Sequence, residues 1–224
     1  MASAAVLDNA DQSLAGLRLA LAPQIARAAV FDGWSDAALV AAAEVHGTDP
    51  AVARLAFPGG AMDMIAAFVE SVDTAMLARF ADGSLAAMKI RERIAALVWF
   101  RLDYLNGMDE AVSRALAIQA MPQNALRAMK LGWHSADVMW RLAGDTATDY
   151  NHYTKRAILA GIYAASLGVY VNDETEGKAE SRAFLDRRID GVMKFEKAKA
   201  QLLGGNREHF DLARFLGRLR YPST

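Results

Sequence analysis

The feature that most restricts this chain is an apolar periodicity of three and four residues, carried along most of its length and broken only by Gly, Pro and Asx turn signals. Leu14, Leu17, Leu21 and Ile25 fall on one face of a helix predicted over Asp11–Phe31, which Gly33 ends. Ser35 or Asp36 then caps a second helix, Ala37–His46. Gly47-Thr48-Asp49 breaks it, and Pro50 opens a short third helix at the position proline tolerates best. A fourth helix from Ala61 turns Met64, Ile65, Phe68 and Val72 inward. No segment alternates with the period of two that a half-buried strand requires, so the fold class is all-α.

Asp82-Gly83-Ser84 is a turn and marks the boundary between a head, residues 1–82, and a body, residues 83–203. The body reads as long helices over Leu85–Leu105, Asp109–Met121, Gln123–Leu142, Tyr150–Val171 and Lys178–Leu203. A last segment, residues 204–224, starts at Gly204-Gly205, a pair that stiffens a link least. Within it Leu212, Phe215, Leu216 and Leu219 share one face, and Arg207, Arg214 and Arg218 lie opposite. Such a basic amphipathic helix either lies in an anionic membrane interface or covers the core or a partner subunit.

Alanine-rich runs such as Ala37–Ala43 favour helix, because alanine loses no side-chain entropy there. The absence of cysteine removes disulfides, thiolate metal sites and a cysteine nucleophile, and suits a reducing compartment. Met1–Gln12 carries Asp8 and Asp11 without a basic start and a long apolar run, so no secretory leader is expected. Ala157–Val171 comes nearest to an uncharged span, and it falls short of the roughly 18 residues a bilayer needs. Charge is uneven: residues 1–80 hold nine acids against four bases, whereas eleven Lys or Arg face six acids from Lys178 onward.

Two catalytic classes drop out, since there is neither a Gly-x-Ser-x-Gly elbow nor a phosphate-binding glycine loop. His46, His134, His152 and His209 stand far apart, and none has a second ligand at the Glu-x-x-His spacing, so no metal site is expected. Asp137, Asp145 and Asp149 gather around the Leu142–Tyr150 loop, where Asp145 or Asp149 serves as a helix cap or the group works as general acid and base.

From Phe31-Asp32-Gly33-Trp34-Ser35 to Phe57-Pro58-Gly59-Gly60 the head resembles the N-terminal domain of tetracycline-repressor-like proteins, which implies a helix-turn-helix. DNA binding needs bases for phosphates and polar groups for base edges, yet Asp49-Pro50-Ala51-Val52-Ala53-Arg54-Leu55-Ala56 supplies one base, one acid and small or apolar groups. No nucleic-acid partner is expected. A ligand-responsive regulator is the rival reading.

The run Trp133-His134-Ser135-Ala136-Asp137-Val138-Met139-Trp140-Arg141 through Asp145 to Asn151-His152-Tyr153-Thr154-Lys155-Arg156-Ala157 resembles the signature of the Coq-nine family. The likeness continues through Ile158–Tyr163, Asp173 and Phe184–Asp190. It implies a tetracycline-repressor-like fold, with a helix-turn-helix head and a helical ligand-binding body. It implies a non-catalytic accessory role in ubiquinone biosynthesis, with a lipid, isoprenoid or polyprenylated quinone precursor as ligand and no cofactor. It also implies peripheral attachment to the inner membrane from the cytoplasmic side, and assistance to the demethoxyubiquinone hydroxylase. A homodimer formed through body helices is expected of repressor-like folds. The family's partner-facing patch falls on Met139, Trp140, His152 and Tyr153, with Arg156 behind it, and the tail residues Leu212, Arg214, Phe215, Leu216, Arg218 and Leu219 are the membrane contact. Members of the family carry tryptophan at the places of His152 and Arg182.

The residues allow a lipid slot on physical grounds as well. Ala157, Gly161, Ala164 and Gly168 form a small-residue stripe that brings helices close or leaves room between them. Candidate lining residues, which serve equally as ordinary core, are Leu97, Phe100, Leu116, Met129, Trp133, Leu159, Tyr163 and Leu167.

Overall fold

The computed structural model describes residues 13–146 and 150–204, the side chains of 150, 151 and 195–204 excepted. Nine α-helices form among them: α1 Leu14–Asp32, α2 Asp36–His46, α3 Pro50–Ala56, α4 Ala61–Arg79, α5 Ile90–Asp103, α6 Asp109–Ala120, α7 Ala125–Leu142, α8 Tyr150–Tyr170 and α9 Ala179–Gly204. Short 3-10 turns occupy Ser84–Ala87, Pro122–Asn124 and Glu176–Lys178. Among the described residues there is no strand, as the periodicity requires.

Helix ends follow local chemistry. The Ser13 hydroxyl accepts from the Gly16 amide at 3.2 Å and starts α1, two residues after the expected Asp11. Gly33 ends it at φ 67°, ψ −176°, a region essentially closed to side chains, while its amide still donates to Ala29. Asp49 caps α3 through the Ala51 amide at 2.7 Å, with Pro50 at the first helical position. One predicted helix is split: Leu85–Leu105 becomes a 3-10 turn and then α5, because Lys89 is extended and its amide donates to Glu92 at 2.9 Å as a new helix start.

By length and composition α1 is apolar enough to span a membrane. Leu17, Leu21, Ala22, Ile25, Ala26 and Ala29 are nevertheless buried, against α2, α3, α4 and α6. Each fully buried Leu or Ile contributes about 1.5–3 kcal/mol there. The Asp82–Ser84 turn is present, with the Ser84 amide donating to Asp82 at 3.0 Å. Packing nevertheless runs across it. Trp34 Nε1 donates to the Ala111 carbonyl at 2.8 Å, and Arg114 reaches the Phe31 carbonyl at 3.1 Å. The compact unit accordingly extends to Asp186 and takes in head and most of the body; the second unit, from Arg187, is helical to Gly204. The tail residues Leu212, Arg214, Phe215, Leu216, Arg218 and Leu219 lie outside the described residues.

Candidate functional site: an apolar chamber and an aromatic face

Four helices each turn side chains toward a common interior. α4 supplies Ile65, Phe68, Val69 and Val72; α5 supplies Arg101, and the turn after it Leu105; α6 supplies Val112, Ala115, Leu116 and Gln119; α8 supplies Tyr163 and Leu167. The spacing is three or four residues in every case, so the chamber is a direct product of helical periodicity. Trp34 also lines it, its ring centroid 5.8 Å from that of Phe68. Arg101, 1% exposed, pairs with Asp73 and donates to Ser135 Oγ at 2.9 Å, and its guanidinium lies 4.9 Å over the Tyr163 ring. Burial pushes the Asp73 carboxyl above its ordinary range, against the pull of Arg101. The cavity measures about 50 Å³, and Leu116, Gln119, Tyr163 and Leu167, all half-buried, form its outer wall.

Of the eight lining candidates, Leu116, Tyr163 and Leu167 come together in this chamber. Leu97 and Leu159 are fully buried in the core and do not line it. Phe100 lies on the far side of α5, in a surface groove of about 460 Å³ with Phe80, Met88 and Trp99, where Arg182 stacks 3.7 Å over Trp99. Met129 is 72% exposed, because the first half of α7 carries no buried residue: burial on that helix begins at Ser135. Trp133 sits half-buried beside Tyr153, ring centroids 6.0 Å apart. The stripe Ala157, Gly161, Ala164 and Gly168 faces solvent, not a neighbouring helix.

The expected partner patch divides. Tyr153 is 61% exposed, with His152 against its ring, and Trp140 is half-buried, its indole donating to the Lys155 carbonyl at 3.0 Å. Met139 must be corrected: it is fully buried, since neighbours on a helix point about 100° apart and Trp140 takes the outward direction. Arg156 lies behind the face, fully buried, donating to Asp137 at 2.5 Å, Asp145 at 3.1 Å and the His152 carbonyl at 3.0 Å.

Asp145 is therefore an ion-pair partner, of Lys155 at 2.7 Å as well as of Arg156, and Asp149 lies outside the described residues. Burial would raise Asp137 and Asp145. The hydrogen bonds and charges of Arg156, with Arg141 on the first and Lys155 on the second, outweigh it and hold both below the ordinary carboxylate range. Carboxylates kept ionised in this way make poor proton donors near neutral pH. Among the described residues no three His, Cys, Asp or Glu converge as metal ligands.

Most lining residues were not among the sequence candidates, and neither was the charged pair formed by Arg101 on the chamber wall and Asp73 behind it. Arg101 falls on the buried face Ile94, Leu97, Val98, Leu102 of α5, and Asp73 falls among Phe68, Val72 and Met76 of α4. A lone charge of each sign on two apolar faces was the available signal.

The COQ9 family model matches residues 125–196, which contain the aromatic face, the Arg156 network and the α8 wall of the chamber. Residues 125–196 belong to the COQ9 family. The likeness to COQ9 proteins extends further along the chain. The mitochondrial ubiquinone biosynthesis protein COQ9 of Rattus norvegicus is 31% identical over 168 residues, 72% of this chain and 54% of that protein. The Homo sapiens protein of the same name is 29% identical over 168 residues, 72% of this chain and 52% of its own length. The chain thus spans about half the length of these COQ9 relatives. In fold it resembles the crystal structure of a TetR transcriptional regulator from Nitrosomonas europaea, with a TM-score of 0.62 at 19% identity, covering 77% of this chain and 95% of that one. The helix-turn-helix head and helical body of a tetracycline-repressor-like fold are thereby established.

Proposed function

We propose that this chain is a non-catalytic accessory protein of ubiquinone biosynthesis, which holds a lipid or polyprenylated quinone precursor in the α4–α5–α6–α8 chamber and presents it to the demethoxyubiquinone hydroxylase at a membrane surface. The observation that carries this reading is the chamber, whose walls are apolar on four helices apart from Arg101, Tyr163 and Gln119. At about 50 Å³ it is far below the roughly 300 Å³ at which ligand pockets begin. Loading therefore requires the half-buried outer wall to move so that the cavity widens. Delivery would use the aromatic face: Tyr153, Trp133 and Trp140, continued by the exposed Leu126 and Met129 on α7, are the residue types that anchor interfaces. The solvent-facing small-residue stripe of α8 offers a flat surface for a second copy.

The regulator reading is the weaker one. Arg54, the only base on α3, is taken up by Asp36 through two contacts of 2.7 Å, and beside it Val52 and Leu55 are exposed. That surface has nothing to offer a phosphate backbone.

The test is native mass spectrometry and organic extraction of the purified chain, with sedimentation against anionic liposomes. The proposal predicts a co-purifying isoprenoid or phospholipid and vesicle binding. An empty protein without vesicle affinity, or one that shifts duplex DNA at low salt, would refute it.

A further inference from the structure

The polar part of the chamber wall is not neutral filler. Asp73 and Arg101 sit at 3% and 1% exposure, and a buried ion pair of this kind is often matched or bettered in stability by apolar residues of equal volume. The pair is also incompletely satisfied. Arg101 Nε and Asp73 Oδ2 are buried without a hydrogen-bond partner, although Arg101 lines the cavity. One orphan is a donor and the other an acceptor. No second Lys or Arg is among the cavity's lining residues.

We infer that Arg101, its charge balanced by Asp73 and with Tyr163 beside it, is the recognition point for the ligand's head, and that it selects an uncharged hydroxyl-bearing head, such as a phenol, over a phosphate or an oxygen-free end. The inference rests on the chamber reading above and deepens it. A hydroxyl accepts from Arg101 Nε and gives that orphan donor a partner at the cavity wall, while Asp73, behind the lining, balances the charge. A phosphate gains little from Arg101, whose charge Asp73 already cancels, and would carry uncompensated charge into an apolar interior. A hydrocarbon end leaves Arg101 Nε without a partner.

Dodecylphenol, dodecylbenzene and dodecyl phosphate share one tail and differ in head, and Trp34 at the cavity wall reports their binding by fluorescence. The full chain should bind dodecylphenol roughly tenfold or more tighter than dodecylbenzene, as expected for hydrogen bonds to charged groups. Dodecyl phosphate should bind more weakly than the phenol. The double variant D73L/R101M should bind phenol and benzene alike. D73N leaves Arg101 uncompensated and should raise phosphate affinity above that of wild type, a change that a purely structural pair would not produce. Equal wild-type affinity for phenol and benzene, or an unchanged phosphate rank in D73N, would overturn the inference and leave the chamber reading intact. Failure of wild type to bind any of the three would overturn both.

Discussion

Replacing Arg156 with Leu should be among the costliest single changes in this chain. The guanidinium is 2% exposed and joins Asp137, Asp145 and the His152 carbonyl, and Asp145 is itself 5% exposed. Removing one partner of a buried pair costs about 3–5 kcal/mol, because the carboxylates stay desolvated. Two cations remain nearby, Arg141 on Asp137 and Lys155 on Asp145, each at 2.7 Å and 71% and 39% exposed. They place the loss at the lower end, about 3 kcal/mol. For a unit of this size that is a fall in Tm of roughly 6–12 °C. Far-UV circular dichroism melts of wild type, R156L and R156K would measure it. R156K keeps the charge but loses the two-pronged geometry, so it should recover less than half of the loss. The difference between wild type and R156L should persist at high salt, since screening acts weakly on buried pairs. An R156L melt within about 2 °C of wild type would refute the reasoning, because Arg141 and Lys155 would then suffice for both carboxylates without Arg156.

Gly33→Ala should cost about 1–3 kcal/mol, since its φ and ψ are closed to a side chain; an unchanged denaturation midpoint would show that the α1–α2 turn relaxes freely. Asp137, Asp145 and Asp173 are all held below the ordinary carboxylate range; burial opposes this in each, and is outweighed for Asp173 by hydrogen bonds from Ser181 and Thr175. The stability they contribute is complete above about pH 4 and is lost as pH falls through their depressed values. Denaturant midpoints should therefore drop below about pH 4, less steeply in D145N, and identical acid limbs in the two proteins would contradict the assignment. Leu97→Ala should cost about 2–5 kcal/mol, whereas Met129→Ala should stay within about 0.5 kcal/mol. Chemical denaturation of the pair decides whether the exposed half of α7 is as uncovered in solution as its burial indicates.

The order of the first helices was legible from local causes, Ser35 as a cap, Pro50 at a helix start and Gly33 and Gly47 at ends, whereas the Ser13 cap that starts α1 was not read. The break at Met88–Lys89 was not legible, since it depends on a lysine amide bonding to a glutamate three residues on. Of the chamber residues on α6 and α8, the sequence reading named Leu116, Tyr163 and Leu167 as candidates and missed Val112, Ala115 and Gln119. Met129 and Met139 could not be placed from periodicity, because α7 keeps one apolar face throughout and only tertiary packing determines that its first half stands uncovered and its second half is buried. Asp73 and Arg101 were hidden for the converse reason: each is an isolated charge on an apolar stripe, and the pairing exists only once α4 and α5 meet.

A crystal structure of the chain soaked with a brominated alkylphenol tests the central claim most directly, since bromine scatters anomalously and marks the tail. The account predicts a peak among α4, α5, α6 and α8, with the hydroxyl at Arg101 and the outer wall displaced at Leu116 and Tyr163. Anomalous density confined to the Trp99 groove, or absent with the interior still closed, would contradict it.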